Sequence, residues 1–286
     1  MMDTLVSTEW LSEHLDDKGL VLLDCTVCTM PEEGGGFHNV SGRTDYELGH
    51  IPSAGFADLK DELSDTDSAV EFAVPTPEQF CAAMGALGVG DDSQVVLYDT
   101  NYTAWAARVW WMLRWVGFDQ AAILDGGMGA WAAEGRPLSI ETVSRPVNHL
   151  TAHVRPELIA DRDEVMAGID DSAVNLIDTM PAEFYRGEVS LYERAGHIPG
   201  AINTNGLDLL DETGHFRSDD ELNGIINTNR NARNITYCGG GIMASSNAFI
   251  MTRLGFNNVA VYTASLQEWA ADPDNPMIID TSESRI

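Results

Sequence analysis

Tyr237-Cys238-Gly239-Gly240-Gly241-Ile242-Met243-Ala244 lies between a short apolar run and a segment with helical apolar spacing. Asn234 to Tyr237 reads as the end of a buried strand, and from Ala244 onward Phe249, Ile250, Met251 and Leu254 carry the helical pattern. Consecutive glycines let such a loop curl so that several backbone N–H groups converge on the cysteine sulfur. The helix N-terminus behind them adds positive potential, which favours a thiolate over a thiol. A cysteine so placed is a candidate nucleophile. The plainer alternative is a buried free cysteine beside a glycine-rich turn.

Working outward, the chain repeats itself. Gly49-His50-Ile51-Pro52-Ser53-Ala54 returns as Gly196-His197-Ile198-Pro199-Gly200-Ala201, and Leu20-Val21-Leu22-Leu23-Asp24 answers Val174-Asn175-Leu176-Ile177-Asp178. Val95-Val96-Leu97-Tyr98-Asp99 answers Ile235-Thr236-Tyr237-Cys238. Met112-Leu113-Arg114-Trp115-Val116-Gly117-Phe118 answers Met251-Thr252-Arg253-Leu254-Gly255-Phe256, and Trp131 answers Trp269. Matched segments in one order with changing loop lengths indicate duplicated domains rather than a short solenoid repeat. The copies differ at one telling position: Asp99 stands where the second copy has Cys238.

These residues resemble the tandem-domain rhodanese, or sulfurtransferase, family. The marks are the two Gly-His-Ile-Pro segments, the Arg108-Val109-Trp110-Trp111-Met112 run, Asp125-Gly126-Gly127 followed by Trp131, and the Cys-Gly-x-Gly loop at Cys238. The resemblance implies two three-layer α/β/α domains, each around a mostly parallel sheet. An inactive N-terminal domain is expected over residues 1–140, a linker over 141–156, and a catalytic C-terminal domain over 157–286. Periodicity agrees: apolar runs ending in Asp at Leu20 to Asp24 and Val174 to Asp178 read as buried parallel strands. Ala121 to Leu124 and Val259 to Tyr262 read as further strands; Thr8 to Leu15, Pro77 to Gly85, Ala104 to Val116, Asp161 to Ala167 and Ser245 to Leu254 read as helices.

Length and a 44% hydrophobic composition allow two cores of ordinary size. No uninterrupted apolar span is long enough for a membrane helix, and the acidic first residues lack the basic and apolar regions of a secretory signal. With few cysteines and a reactive one among them, a reducing cytoplasm is the expected compartment. Sixteen basic against 45 acidic residues give a net charge of −29. Such a surface repels nucleic acid and anionic membranes, so neither is an expected partner. Salt would screen the self-repulsion, as in a high-salt source.

The resemblance implies covalent chemistry at Cys238. The thiolate takes sulfur from a small anionic donor, 3-mercaptopyruvate or thiosulfate, as a persulfide, then yields it to cyanide or a thiol such as reduced thioredoxin. Backbone N–H groups of Gly239, Gly240, Gly241, Ile242, Met243 and Ala244 would cradle the charge. No metal or other cofactor is called for. The loop is neutral, nearer the Cys-Gly-Ser/Thr-Gly-Val-Thr form of mercaptopyruvate-preferring members than the basic loops of thiosulfate-preferring ones. It departs from that form at Gly240, which replaces a hydroxyl residue, and at Met243. The family's donor-binding arginine would fall at Phe184, leaving Arg186 and Arg194 as candidates, each able instead to pair with a nearby glutamate. Tyr102 and Trp105 follow Asp99 in the segment matching the catalytic loop, and are expected to cover the cysteine at a donor site between the domains.

His50 and His197 recur in both copies and read as turn-holding residues. Cys25-Thr26-Val27-Cys28 has redox spacing but no counterpart in the second copy, and Cys81 reads as helix core. A cysteine phosphatase of related fold would need an arginine closing the loop, where Ala244 stands. A non-catalytic persulfide carrier is the other alternative, favoured by Thr263-Ala264 in place of Asp125-Gly126 and by the absence of arginine at Phe184.

Overall fold

The apolar runs at Leu20–Asp24 and Val174–Asp178 become inner strands of two parallel sheets built to one plan. The structure, a computed structural model, describes residues 2–32 and 36–280. Two compact units emerge. The first comprises the chain up to Ser68, Phe72–Arg155 and Leu210–Phe216; the second comprises Ala69–Glu71, Pro156–Leu209 and the chain from Arg217 onward.

The first unit runs β1 (Leu5–Val6), α1 (Thr8–His14), β2 (Leu20–Asp24), β3 (Val27–Pro31), β4 (Phe37–Ser41), α2 (Arg43–Leu48), β5 (Gly55–Phe56), α3 (Pro77–Ala86), β6 (Gln94–Tyr98), α4 (Ala104–Trp115), β7 (Ala121–Leu124) and α5 (Gly127–Ala133). The second runs β8 (Ile159–Ala160), α6 (Arg162–Gly168), β9 (Val174–Asp178), α7 (Ala182–Tyr185), β10 (Ile202–Asn203), α8 (Asp219–Ile225), β11 (Arg233–Tyr237), α9 (Ile242–Arg253), β12 (Val259–Tyr262) and α10 (Ser265–Trp269). The sheet orders are β1-β7-β6-β2-β5 and β10-β9-β11-β12-β8, parallel throughout. Read from opposite edges, they are the same order. The register is also shared: Asp24 lies opposite Tyr98, and Asp178 opposite Tyr237.

Continuous apolar sequence suits these strands because both sheet faces are covered. Val95, Val96, Leu97 and Tyr98 are all fully buried. The central strands β6 and β11 each lead through a short loop into a long helix. Helix α4 buries every residue except Arg114, as expected of a helix apolar on all sides. In such parallel sheets the crevice for chemistry opens beyond the strand C-termini, where the order reverses between β2 and β6 or between β9 and β11. Cys238 stands at that point in the second unit, one residue past β11.

Several boundaries differ from the sequence expectation for local reasons. Helix α9 starts at Ile242 rather than Ser245, because Gly241 at φ 78° turns the chain straight into the first helical residue. Asp161 caps α6 rather than opening it, its Oδ1 accepting from the Glu164 N–H at 2.8 Å. The antiparallel hairpin β3–β4 was not anticipated; it is largely exposed and so carries little apolar signal. Residues 141–155, expected as part of the linker, lie along the first unit. Asn148 N–H donates to the Gly85 carbonyl at 2.9 Å, His153 N–H to Val116 at 2.7 Å and Arg155 N–H to Trp115 at 2.8 Å.

The Gly-His-Ile-Pro corners are twins in structure. His50 stacks on Tyr46 at 4.0 Å and His197 on Tyr185 at 3.7 Å. Each histidine Nδ1 pairs with the backbone carbonyl of that tyrosine, and each tyrosine hydroxyl donates to the alanine carbonyl, Ala54 or Ala201, closing the turn. The indoles repeat as well, Trp131 donating to the Pro137 carbonyl and Trp269 to that of Pro276. No helix among the described residues is long and apolar enough to cross a membrane.

Candidate active site

Strand β11 delivers Cys238 with its backbone already committed. The Tyr237 hydroxyl accepts the Ile198 N–H at 3.1 Å, tying the strand end to the Gly-His-Ile-Pro corner; Tyr98 does the same with Ile51 at 3.2 Å. The Cys238 N–H donates to Ser265 Oγ at 3.1 Å, and its carbonyl accepts from Leu266 at 3.1 Å. Only 3% of the residue is exposed. The Gly241 N–H points at Cys238 Sγ from 3.1 Å, at the N-terminus of the twelve-residue α9. A sulfur facing an N–H and the positive end of a helix is set up to carry negative charge.

The loop glycines serve different purposes. Gly241 is needed for its left-handed φ of 78°, and a β-carbon there would also run into the Thr263 backbone. Gly239 and Gly240 lie outside the left-handed region. They are glycine for space: a β-carbon at Gly239 would overlap the Tyr192 hydroxyl, and one at Gly240 would overlap Gln267 Nε2. Burial, with Cys238 and Glu71 nearby, raises the Tyr192 phenol above its ordinary value, so it stays a neutral hydrogen-bond donor.

Sequence reasoning missed Tyr192, Gln267 and Ser265. Ser265 occupies the place of Gly127 and has the same φ of 53°. The non-glycine residue accepts that strain, of order 1 kcal/mol, while its hydroxyl donates to Tyr262 O at 2.7 Å and receives the Cys238 N–H. The replacement noted at Thr263-Ala264 therefore extends one residue further, into a contact with the cysteine itself. The missing hydroxyl at Gly240 was the one available hint of Gln267; nothing in the sequence pointed to Tyr192.

The candidate arginines are differently employed. Arg186 is a half-buried residue forked onto exposed Glu188, with contacts of 2.7 and 3.1 Å. Arg194 donates from Nε, Nη1 and Nη2 to the carbonyls of Ala270, Asn275, Trp269 and Asp272, at 2.9, 2.7, 2.8 and 2.6 Å. That guanidinium holds the segment after α10. In the first unit, Tyr102 is 62% exposed and Trp105 is buried, its ring 5.2 Å from that of Phe72.

Asp99 fills the corresponding loop of the first unit with its own carboxylate. Oδ1 accepts from Asn101 at 2.8 Å and Thr103 at 3.1 Å, and Oδ2 from Ala106 at 2.9 Å. Burial nevertheless pushes its carboxyl up to about 7, against the pull of those N–H groups. The remaining cysteines are free thiols. Cys28 donates to Asp45 Oδ2 at 3.2 Å. Burial, with acidic neighbours, pushes Cys28 and Cys81 each up to about 11, and pushes buried Cys25 well above its usual range.

Two like-ordered parallel sheets, one with a cysteine on a glycine loop and the other with an aspartate at the same place, define a duplicated α/β protein. The Rhodanese-like domain family matches residues 7–134 and 161–272, and the chain belongs to the tandem-domain rhodanese, or sulfurtransferase, family. It is 32% identical over 282 residues to the 3-mercaptopyruvate sulfurtransferase of Escherichia coli K12, across 95% of this chain and 96% of that one. It is 31% identical over 275 residues to the thiosulfate sulfurtransferase of Gallus gallus, across 93% and 92%. Among solved structures it resembles SseA from Escherichia coli, described as a 3-mercaptopyruvate sulfotransferase. The TM-score is 0.82 at 31% identity, covering 92% of this chain and 99% of that one.

Proposed function

We propose that the protein transfers sulfur from a small anionic donor, preferentially 3-mercaptopyruvate, through a persulfide on Cys238 to a thiol acceptor or cyanide. The carrying observation is the Gly241 N–H aimed at Cys238 Sγ at the head of α9. The thiolate attacks the donor sulfur and an S–S bond forms. The C–S bond breaks with its electron pair going to the donor carbon, which takes the thiol proton and leaves as pyruvate. The terminal persulfide sulfur keeps the negative charge until an acceptor nucleophile removes it, returning the Cys238 thiolate.

Asp99 supports this reading by analogy. A carboxylate oxygen lies two bonds from Cβ, as does the outer sulfur of a cysteine persulfide. In the first unit, backbone N–H groups surround that position. Neutral side chains around the loop favour a keto-acid donor over the doubly charged thiosulfate. Arg186, held by an exposed pair worth at most about 1 kcal/mol, can exchange Glu188 for a donor carboxylate. Arg194 is spent on backbone carbonyls. The reducing cytoplasm remains the proposed compartment.

The test is intact-mass analysis after incubation with each donor, together with cyanide-coupled turnover. One added sulfur, absent from Cys238→Ser, and faster turnover of 3-mercaptopyruvate are expected. Loading without turnover to any acceptor would make the protein a carrier instead.

A further inference from the structure

Gly240 is a glycine without a backbone reason to be one. Its φ lies outside the left-handed region, and the obstacle to a side chain there is Gln267 Nε2. Gln267 sits on α10, and its backbone N–H donates to the Gly239 carbonyl at 3.0 Å, so it is fastened to the loop. Its carboxamide has a defined sense: Oε1 accepts the Glu71 N–H at 2.9 Å, which turns the NH2 group toward Gly240. Gly239 is crowded in the same way by the Tyr192 hydroxyl. Two neutral donors therefore occupy the space that side chains of residues 239 and 240 would fill.

We propose that Gln267 is a donor-binding residue, its Nε2–H contacting the keto oxygen of the sulfur donor in place of a loop hydroxyl at position 240, with the Tyr192 hydroxyl as a second contact beside Gly239. This rests on the Cys238 persulfide reading. When the C–S bond breaks, the electron pair runs into the carbonyl system and charge builds on that oxygen before the carbon is protonated. An N–H fixed there by a second hydrogen bond stabilises that charge without reorganising. Thiosulfate has no keto oxygen, so the contact discriminates between donors.

The experiment measures persulfide formation by quenched intact mass, with 3-mercaptopyruvate and with thiosulfate, in the full chain. Gln267→Met keeps the length of the side chain and removes the N–H. It should lower kcat/KM for 3-mercaptopyruvate about 10- to 100-fold, while thiosulfate loading changes less than about threefold. Gly240→Ser alone should be impaired by collision with Nε2. Combined with Gln267→Ala it regains space and a hydroxyl, and should recover most of the lost 3-mercaptopyruvate activity.

Equal loading of Gln267→Met and wild type with 3-mercaptopyruvate would overturn the assignment. So would equal losses with both donors together with a lowered melting temperature. If Gln267→Met does not fold, the double variant decides: no gain over Gln267→Ala alone refutes the proposal. Wild-type protein that takes no sulfur from either donor brings down the Cys238 reading itself, an outcome distinct from all of these.

Discussion

The loop after β6 and the loop after β11 occupy the same place in the same fold, and they solve opposite problems. Asp99-Thr100-Asn101-Tyr102-Thr103 closes on itself. Its carboxylate collects the N–H groups of Asn101, Thr103 and Ala106, and Tyr102 and Thr103 take left-handed φ values of 63° and 59° without being glycine. Cys238-Gly239-Gly240-Gly241 is one residue shorter before its helix, and its sulfur takes one N–H, from Gly241 at 3.1 Å. Three N–H groups thus converge on the side chain at the first junction, and one meets the side chain at the second. What differs is the side chain set there, an aspartate carboxyl in one loop and a cysteine sulfur in the other.

The largest expected effect comes from making the second loop like the first. Cys238→Asp should remove sulfur transfer by roughly a thousand-fold or more, with the sheets intact by circular dichroism. Residual turnover above a tenth of wild type would mean that the nucleophile lies elsewhere. Next are the residues at the helix entrances. Gly241→Ala meets both a left-handed φ and the Thr263 backbone, and should cost about 2–3 kcal/mol in urea unfolding. Thr103→Gly at the counterpart position should be neutral or stabilising by under about 1 kcal/mol. Equal effects would remove the distinction between a strained and an unstrained entrance.

The third expectation concerns pH. Asp99 has a folded value of about 7 against an ordinary 3.8, so the folded chain binds its proton more tightly than the unfolded chain. The stability this confers is present below about pH 3.8 and is lost as the pH rises through about 7. Asp99→Asn should flatten that part of the stability profile, measured as urea midpoints across the interval; parallel profiles would refute it. The smallest effect is expected for Ser265→Gly, which relieves a φ of 53° but gives up the Cys238 N–H contact. The net change should stay within about 1 kcal/mol, and a larger loss would show that the hydroxyl anchors the cysteine more firmly than one hydrogen bond.

What the sequence disclosed follows from the range of the interactions involved. Apolar runs such as Leu20–Asp24 and Val174–Asp178 announce buried strands because their signal is local, and the doubled Gly-His-Ile-Pro corners disclose the duplication. The setting of Cys238 was legible for the same reason: strand end, cysteine, glycines and helix start are contiguous. Tyr192 and Gln267 lie 47 and 27 residues in sequence from Gly239 and Gly240, and only folding brings them together. Arg194 looked like a substrate anchor because charge is visible in sequence, whereas its backbone carbonyl partners at 269–275 are not.

The two space-making glycines also bear on how such an enzyme can change. At Gly239 and Gly240 the polypeptide leaves the space beside the loop to side chains from other segments, Tyr192 and Gln267. On the donor-binding proposal, substitution at Tyr192 or Gln267 alters what approaches the sulfur while the N–H-bearing loop stays untouched. A library restricted to positions 192 and 267 would test whether donor preference moves while Cys238-Gly239-Gly240-Gly241 is held constant.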